Sequence, residues 1–372
     1  MSSPAAFKRL DKSEATLIST LYYLNVLSSS RISRNLSMSQ ERVAYFFEYT
    51  LDRLGFTLKP DIMYGKLGLI GVTAIYRRMK IRDCNLDEAV FRIPYIRALS
   101  ILPPSILIAS FLIPRDLANY VKSGPSPTAD VYTYEYTIRS KPKIDLLDEL
   151  LSGHVETLVE PKVVEELVSA KRLIREEDVV GRARFDKIDL AVLHELSVNP
   201  GLSIRGVKKA VEERLRRKFI RFESHVEHAE KFIYGYRLAI LRSKYVQQIV
   251  KCLYLKASES LNLCNSVIRH PLVVNCSGSS SSGESIICIM MPTKVDALTT
   301  LEIFINALTS LGCEVIDSFE YAFGLLPTRS HFAAATVPLT EWARGYSDWL
   351  KEVDPVSYAF NVLKSLNCIE SP

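Results

Sequence analysis

Two copies of one pattern, laid end to end, constrain this chain more than any other feature. Leu10-Asp11-Lys12 opens a helical stretch near the N-terminus, and Phe185-Asp186-Lys187 opens another 175 positions later. The register then holds: Ile18 matches Leu193, Leu21 matches Leu196, Leu27-Ser28 matches Leu202-Ser203, Ile32 matches Val207 and Leu36 matches Val211. Solenoid units recur every 20 to 50 residues or so, so a period this long describes a duplicated multi-domain module. Each half can therefore be used to interpret the other.

At 372 residues, 48% of them hydrophobic and 24% charged, the chain can fill two to four compact domains. Its longest apolar run, residues 105–114, is strand-sized and falls short of the roughly 18 to 20 residues of a membrane span. No apolar core follows Lys8 and Arg9, so the N-terminus does not read as a signal peptide, and a cytoplasmic setting without membrane contact is expected. None of the seven cysteines forms a two-residue-spaced pair. Cys252, Cys276 and Cys288 lie in apolar, strand-like runs and read as reduced, buried thiols. His225 and His228 share a helical face, but nothing nearby in sequence completes a metal site, so neither metal nor cofactor is expected.

Residues 13–23 set Leu17, Ile18, Leu21 and Tyr22 on one helical face. The serines at 28–30 can cap a second helix through Ile32 and Leu36, and Ser39 a third. That third helix turns Val43, Phe46, Phe47, Thr50 and Leu54 inward until Gly55 stops it. With Phe56-Thr57-Leu58 and a Pro60-Asp61 turn following, residues 8–62 are expected to form a winged helix-turn-helix. The outer face of its third helix holds Arg42, Tyr45, Tyr49 and Arg53. Such a face can enter a major groove; a merely solvated face accounts for it equally well, and Glu41, Glu48 and Asp52 dilute its charge.

Strand-like runs at 69–76, 97–102, 105–113 and 131–139, with helical stretches around 86–91 and 115–121, give the order β-α-β-β-α-β over 66–140. The second half repeats it over 245–325: strands 248–256, 272–276, 285–291 and 313–323, helices 258–269 and 294–311. The fold class expected is α+β, two tandem modules, each a winged helix-turn-helix followed by a ferredoxin-like βαββαβ domain. Between them, residues 141–184 carry Leu146, Leu147, Leu150 and Leu151, then Val163, Val164, Leu167 and Val168, the pattern of two amphipathic helices separated by Pro161. Residues 277–283 read as a flexible Ser/Gly hairpin loop. Residues 329–372, with Trp342 and Trp349, read as a helical extension.

A net charge of +5 is modest, but its distribution is uneven. Between Gly201 and Arg221 stand Arg205, Lys208, Lys209, Arg214, Arg216, Arg217, Lys218 and Arg221 against Glu212 and Glu213. Aligning Val43, Phe47 and Leu54 with Leu215, Phe219 and Val226 shortens the offset to 172, so the second headpiece, 185–243, lacks three residues where the first has Ser37-Met38-Ser39. Its turn is expected to be shortened, or its second and third helices fused across 212–228. In that helix Arg214, Arg217, Lys218 and Arg221 would form a stripe suited to phosphate contacts.

The arrangement resembles the Lrp/AsnC family of prokaryotic feast/famine regulators, doubled. Both helix openings, the string Ile32-Ser33-Arg34-Asn35-Leu36-Ser37-Met38-Ser39-Gln40-Glu41-Arg42-Val43 and the wing-like Ile233-Tyr234-Gly235-Tyr236 carry the likeness, over about residues 8–140 and 185–325. It implies duplex DNA as partner and Ser39 and Gln40 at the entry of the recognition helix. It also implies self-association through the ferredoxin-like sheets, within one chain as a pseudo-dimer or between chains, and an amino-acid-like effector at that interface. Of the family's glycine-and-acid pattern for the effector, Ser282-Gly283-Glu284 is what survives, while Leu102-Pro103-Pro104-Ser105 stands in copy one. The expectation is a DNA-binding regulator, not an enzyme. Two alternatives stay open: a protein-interaction scaffold whose headpieces have lost DNA, and a relative of the sirohaem decarboxylases, which share the module and for which His270 beside Arg269 would be the available histidine.

Overall fold

Helix ends in this chain are written by short polar side chains. Helix α1 (Lys12–Leu21) begins at Asp11, whose carboxylate accepts the N–H groups of Ser13 and Glu14 while Glu14 answers the Asp11 N–H. Ser28 caps α2 (Ser29–Leu36), which closes at Ser37 with φ 52°. Ser39 caps α3 (Gln40–Tyr45), which passes through a π-helical turn, Phe46–Thr50, into α4 (Leu51–Arg53). The turn brings Phe46 and Leu51, five positions apart, into the same core. In this computed structural model the residues described are 9–77, 80–82, 93, 96–102, 106–115, 129–170, 176–181, 184–240, 246–322 and 355–370.

The expected wing does not fold back on itself. Residues 56–62 form one strand, β1 (Phe56–Ile62), whose antiparallel partner is β8 (Ile233–Ile240) of the other half, with Phe56 opposite Ile240 and Pro60 opposite Tyr236. A two-stranded ribbon has free outer edges, so Pro60, lacking an N–H, is tolerated beside the register shift that follows it. The Pro60-Asp61 turn read from sequence is therefore strand, and each module completes the other.

Strands β2 (Leu69–Tyr76), β4 (Ile96–Leu102), β5 (Ile106–Pro114) and β6 (Ala129–Tyr134) form an antiparallel sheet in the order β4-β5-β2-β6. The single strand expected over 131–139 is two. At Glu135 the chain leaves β6 and crosses to the second sheet as β7 (Tyr136–Arg139), because the Glu135 N–H donates to Gly278 O and its carboxylate accepts from Ser279 Oγ and Ser280 N. With β9 (Val246–Lys256), β10 (Val273–Gly278), β11 (Glu284–Pro292) and β12 (Glu314–Ala322), the second sheet runs β12-β9-β11-β10-β7. Set aside β7 and both sheets have the strand order of a split βαβ. The helix expected at 86–91 and, Arg115 apart, the one expected at 115–121 lie outside the described residues.

Short helices follow the crossover. Helix α5 (Ile144–Ser152) is followed by α6 (Val155–Leu158) and α7 (Pro161–Ser169), with Pro161 in the first turn of α7. Leu147 and Leu151 enter the core of the first headpiece with Ile18 and Leu21, whereas Val164 and Val168 enter the core under the second sheet with Val267 and Phe304. After α8 (Glu176–Val179) come the three helices of the second headpiece, α9 (Lys187–Val198), α10 (Ile204–Leu215) and α11 (Glu223–Glu230).

Here the fused helix over 212–228 is corrected. Helix α10 stops at Arg216, in the left-handed region with φ 49°. The Arg217 N–H returns to Glu212 O, and the Glu212 carboxylate accepts the Phe219 N–H at 2.9 Å and the Lys218 ammonium at 3.1 Å. Those two donors, the main-chain one foremost, hold the Glu212 carboxyl below its usual range. The second copy is thus not short of residues in its turn: α10 has 12 residues against 8 in α2, and a turn over 216–222 precedes a short third helix.

The two sheets face each other within the one chain. Ile75 and Ile108 pack with Val250, Cys252, Ile286, Cys288, Met290 and Phe319, and the Tyr132 ring lies 4.6 Å from that of Tyr254. On the second sheet's other face, α12 (Ser260–Val267) and α13 (Ala297–Ser310) cover Leu253, Ile287 and Ile289. Chain segments α14 (Pro355–Ser365) and β13 (Ile369–Glu370) return to the first module, where β13 pairs with β3 (Lys80–Ile81) and Tyr76 Oη donates to Val356 O at 2.7 Å.

The cysteines depart from expectation. Cys252–Cys288 and Cys264–Cys276 are disulfide-bonded, tying β9 to β11 and α12 to β10, while Cys313 is a free buried thiol. Reduced thiols therefore describe Cys313 and not these four. Among the described residues no helix is long and apolar enough to cross a membrane.

Candidate nucleic-acid interface

The two headpieces meet directly. The Ser29 N–H donates to Leu202 O, the Leu27 N–H to Glu230 Oε1, and Arg31 pairs with Glu230 and Glu227 at 3.0 and 3.1 Å. The side chain of Phe47 lies against Gly201, where a β-carbon would come within 3.3 Å of it.

Where they meet, an open groove of about 930 Å³ forms. The first headpiece supplies Ser30, Arg34 and Gln40; the second supplies Ser203, Ile204, Arg205 and Lys208 from the start of α10, and residues 220–224 from the turn and the start of α11. Four cations, Arg34, Arg205, Lys208 and Arg221, face one acid, Glu223. The N-terminal end of α10 opens into the same space and adds a partial positive charge. Among the described residues neither Arg205 nor Arg221 has an ion-pair partner, and Lys208 stands 3.9 Å from Glu212. Ile220, 98% exposed, projects beside Arg221. A concave, net-positive surface of this kind concentrates anions along its length.

Of the site residues read from sequence, Gln40, Arg205, Lys208 and Arg221 converge on this groove. Ser39 is spent on the α3 cap, accepting the Arg42 N–H at 3.2 Å. Arg42, Tyr45 and Tyr49 are exposed on the outer face of the third helix, the two tyrosine rings 5.2 Å apart. Arg53 is ion-paired to Glu14. In the second headpiece Arg214 pairs with Glu195 at 2.6 Å, Lys218 with Glu212, and Lys209 with Glu213 at 4.0 Å. Arg217 lies over the Phe219 ring. The expected helical stripe is therefore broken: Arg214 lies in the last turn of α10, and the other three lie in the turn that follows, in which Arg217 and Arg221 remain without carboxylate partners among the described residues. Arg34 and Ser30 escaped the sequence reading because the groove exists only once the headpieces meet.

Ser282, Gly283 and Glu284 close the β10–β11 hairpin. Gly283 has φ 70°, its N–H donates to Ser279 O, and Ser282 Oγ bonds the Glu284 carboxylate. This is a hydrogen-bonded turn rather than a loose Ser/Gly loop. His270 is no surface residue: its Nε2 donates to Leu158 O at 2.8 Å, its Nδ1 accepts the Leu272 N–H, and burial pushes its pKa from 6.5 down to about 4. A second group has no signal in the local sequence. His225 and His228 lie against Asp186 and Asp189 at the start of α9, some 36 residues earlier in the chain.

No family model matches the chain, and no curated protein does. Among solved structures the chain is similar to the crystal structure of the siroheme decarboxylase NirDL, alone and in co-complex with an iron-uroporphyrin III analogue, at TM-scores of 0.41 and 0.42 and 10% identity, over 92% of this chain and 98% of that one. A likeness this distant assigns neither family nor activity.

Proposed function

We propose that this chain is a DNA-binding transcriptional regulator of Lrp/AsnC type, with two headpieces and two ferredoxin-like domains per chain, paired as an intramolecular pseudo-dimer. One observation supports it above the rest: the groove between the headpieces, where Arg34, Arg205, Lys208 and Arg221 gather around Ser30, Ser203 and Gln40. Cations gathered on a concave surface suit the phosphate backbone of a duplex, while the exposed Arg42, Tyr45 and Tyr49 face supplies groups that read base edges. Backbone binding is the larger part of the role, because α11 presents Glu223 and Glu227 to solvent in place of basic groups. An effector at the facing sheets belongs to the same reading.

The test is duplex binding across a salt series. Arg205→Glu with Lys208→Glu should weaken binding and flatten the slope of log affinity against log salt by roughly 0.9 for each phosphate no longer neutralised. An unchanged slope removes the groove from the interface. A scaffold reading has one specific support, the neutralisation of Arg53, Arg214 and Lys218 by neighbouring acids; it predicts no duplex binding even at low salt.

A further inference from the structure

Helix α11 carries His225 and His228 one turn apart, and both rings point at the start of α9. His225 Nδ1 lies 3.1 Å from Asp189 Oδ1 and 3.6 Å from Asp186 Oδ2. One ligand atom from each of Asp186, Asp189 and His225 falls within 4.8 Å of the other two. Around a zinc ion with bonds of about 2.0–2.1 Å, neighbouring tetrahedral ligands stand roughly 3.3 Å apart, so the two histidine separations are already close to coordination edges.

The carboxylates are divided in the manner such a site requires. Asp186 gives Oδ1 to the N–H groups of Ile188 and Asp189 and leaves Oδ2 toward His225. Asp189 gives Oδ2 to the Asp186 N–H and to His228 Nδ1 at 2.7 Å, and leaves Oδ1 toward His225. One oxygen of each acid is thus fixed by outer partners, and the other converges with the imidazole. Outer hydrogen bonds of this kind orient metal ligands. Before the three atoms opens a cavity of about 370 Å³, rimmed by Arg184, Phe185 and Ser224, with room for a water or an exogenous ligand as a fourth donor. In the first headpiece the corresponding acid, Glu14, is neutralised by Arg53 instead. The histidines are therefore particular to the second copy and are not demanded by the capping box.

We propose that Asp186 Oδ2, Asp189 Oδ1 and His225 Nδ1 bind a divalent first-row transition-metal ion such as Zn²⁺, with His228 orienting Asp189, and that the ion ties α11 to α9. A mixed imidazole and carboxylate set suits such ions, and coordination replaces the direct His225–Asp189 hydrogen bond.

The experiment is calorimetric titration of the chelator-stripped full chain with Zn²⁺, repeated with Co²⁺ to read the visible d–d band of a bound ion. The expected result is one ion per chain, lost in His225→Ala and weakened roughly 10- to 100-fold in His228→Ala. His225 is partly exposed, so its removal leaves the helices intact, which circular dichroism checks. Asp186→Asn is the second variant: asparagine still caps a helix but ligates poorly. Wild-type protein that binds no ion, or that binds it as tightly as His225→Ala and Asp186→Asn do, overturns the proposal and leaves the cluster a helix cap with ion pairs.

Discussion

The carboxylate of Glu230, on the third helix of the second headpiece, accepts the main-chain N–H of Leu27 in the first at 3.0 Å. It holds Arg31 at the same distance, and it is buried. Desolvation raises its pKa against the opposing pull of the Leu27 N–H and Arg31. Glu230→Ala leaves the buried Leu27 N–H without its acceptor and Arg31 with Glu227 alone, at a cost of about 1–3 kcal/mol. Glu230→Gln keeps an acceptor and costs less. Urea denaturation of both variants measures this; equal losses would mean that charge, and not the hydrogen bond to Leu27, holds the seam.

His270 makes stability depend on pH in a stated window. Its folded pKa, about 4, is depressed from 6.5 by burial, with the Leu158 carbonyl pulling weakly the other way. Between those values the unfolded chain binds the proton and the folded chain does not, so the contribution is complete above about pH 6.5 and is lost as pH falls toward 4. The full shift corresponds to roughly 3 kcal/mol. Denaturant midpoints at pH 7 and pH 4.5 should differ more in the wild type than in His270→Gln; parallel behaviour would place the acid sensitivity elsewhere.

Gly235 and Gly68 form a controlled pair. Both have positive φ, 74° and 71°, but a β-carbon at Gly235 would stand 2.1 Å from Tyr22 O, whereas one at Gly68 meets nothing within 4 Å. Gly68→Ala should cost about 1–2 kcal/mol for the left-handed backbone alone. Gly235→Ala should cost clearly more, because the β1–β8 ribbon must lift from α1. Similar losses at both positions would mean that the ribbon is not pressed against α1.

Removing residues 355–372 strips Val356, Ala359, Val362, Leu363 and Ile369 from the core that the first sheet shares with the second headpiece. Each large apolar side chain buried there is worth about 1.5–3 kcal/mol. The truncated chain should bind a hydrophobic dye and melt several degrees lower; a native-like melt would show that α14 is dispensable for the sheet beneath it.

Local structure was legible where local chemistry writes it. Asp11, Ser28, Ser39, Asp186 and Ser203 cap helices from their own sequence neighbourhoods, and the strands of the second sheet stand within a few residues of their expected places. What failed was pairing at a distance. Phe56 carries no mark that its partner is Ile240, so the ribbon read as a hairpin within one headpiece. Arg216 adopts the left-handed region without being a glycine, held by Glu212, so the break in α10 had no residue-type signal. In the groove, Arg205, Lys208 and Arg221 were visible as local charge density, whereas Arg34 and the His225–Asp186 approach depend on how helices far apart in sequence dock.

The β1–β8 ribbon also sets a schedule for the molecule's own synthesis. Strand β1 leaves the ribosome early, yet Phe56 has nothing to pair with until Ile240 has been made. At translation speeds of about 5–20 residues per second, that wait lasts on the order of 10–40 s. Throughout it, an unpaired strand edge stands open to other nascent chains. Slow translation of the linker would lengthen that exposure, and faster translation would shorten it.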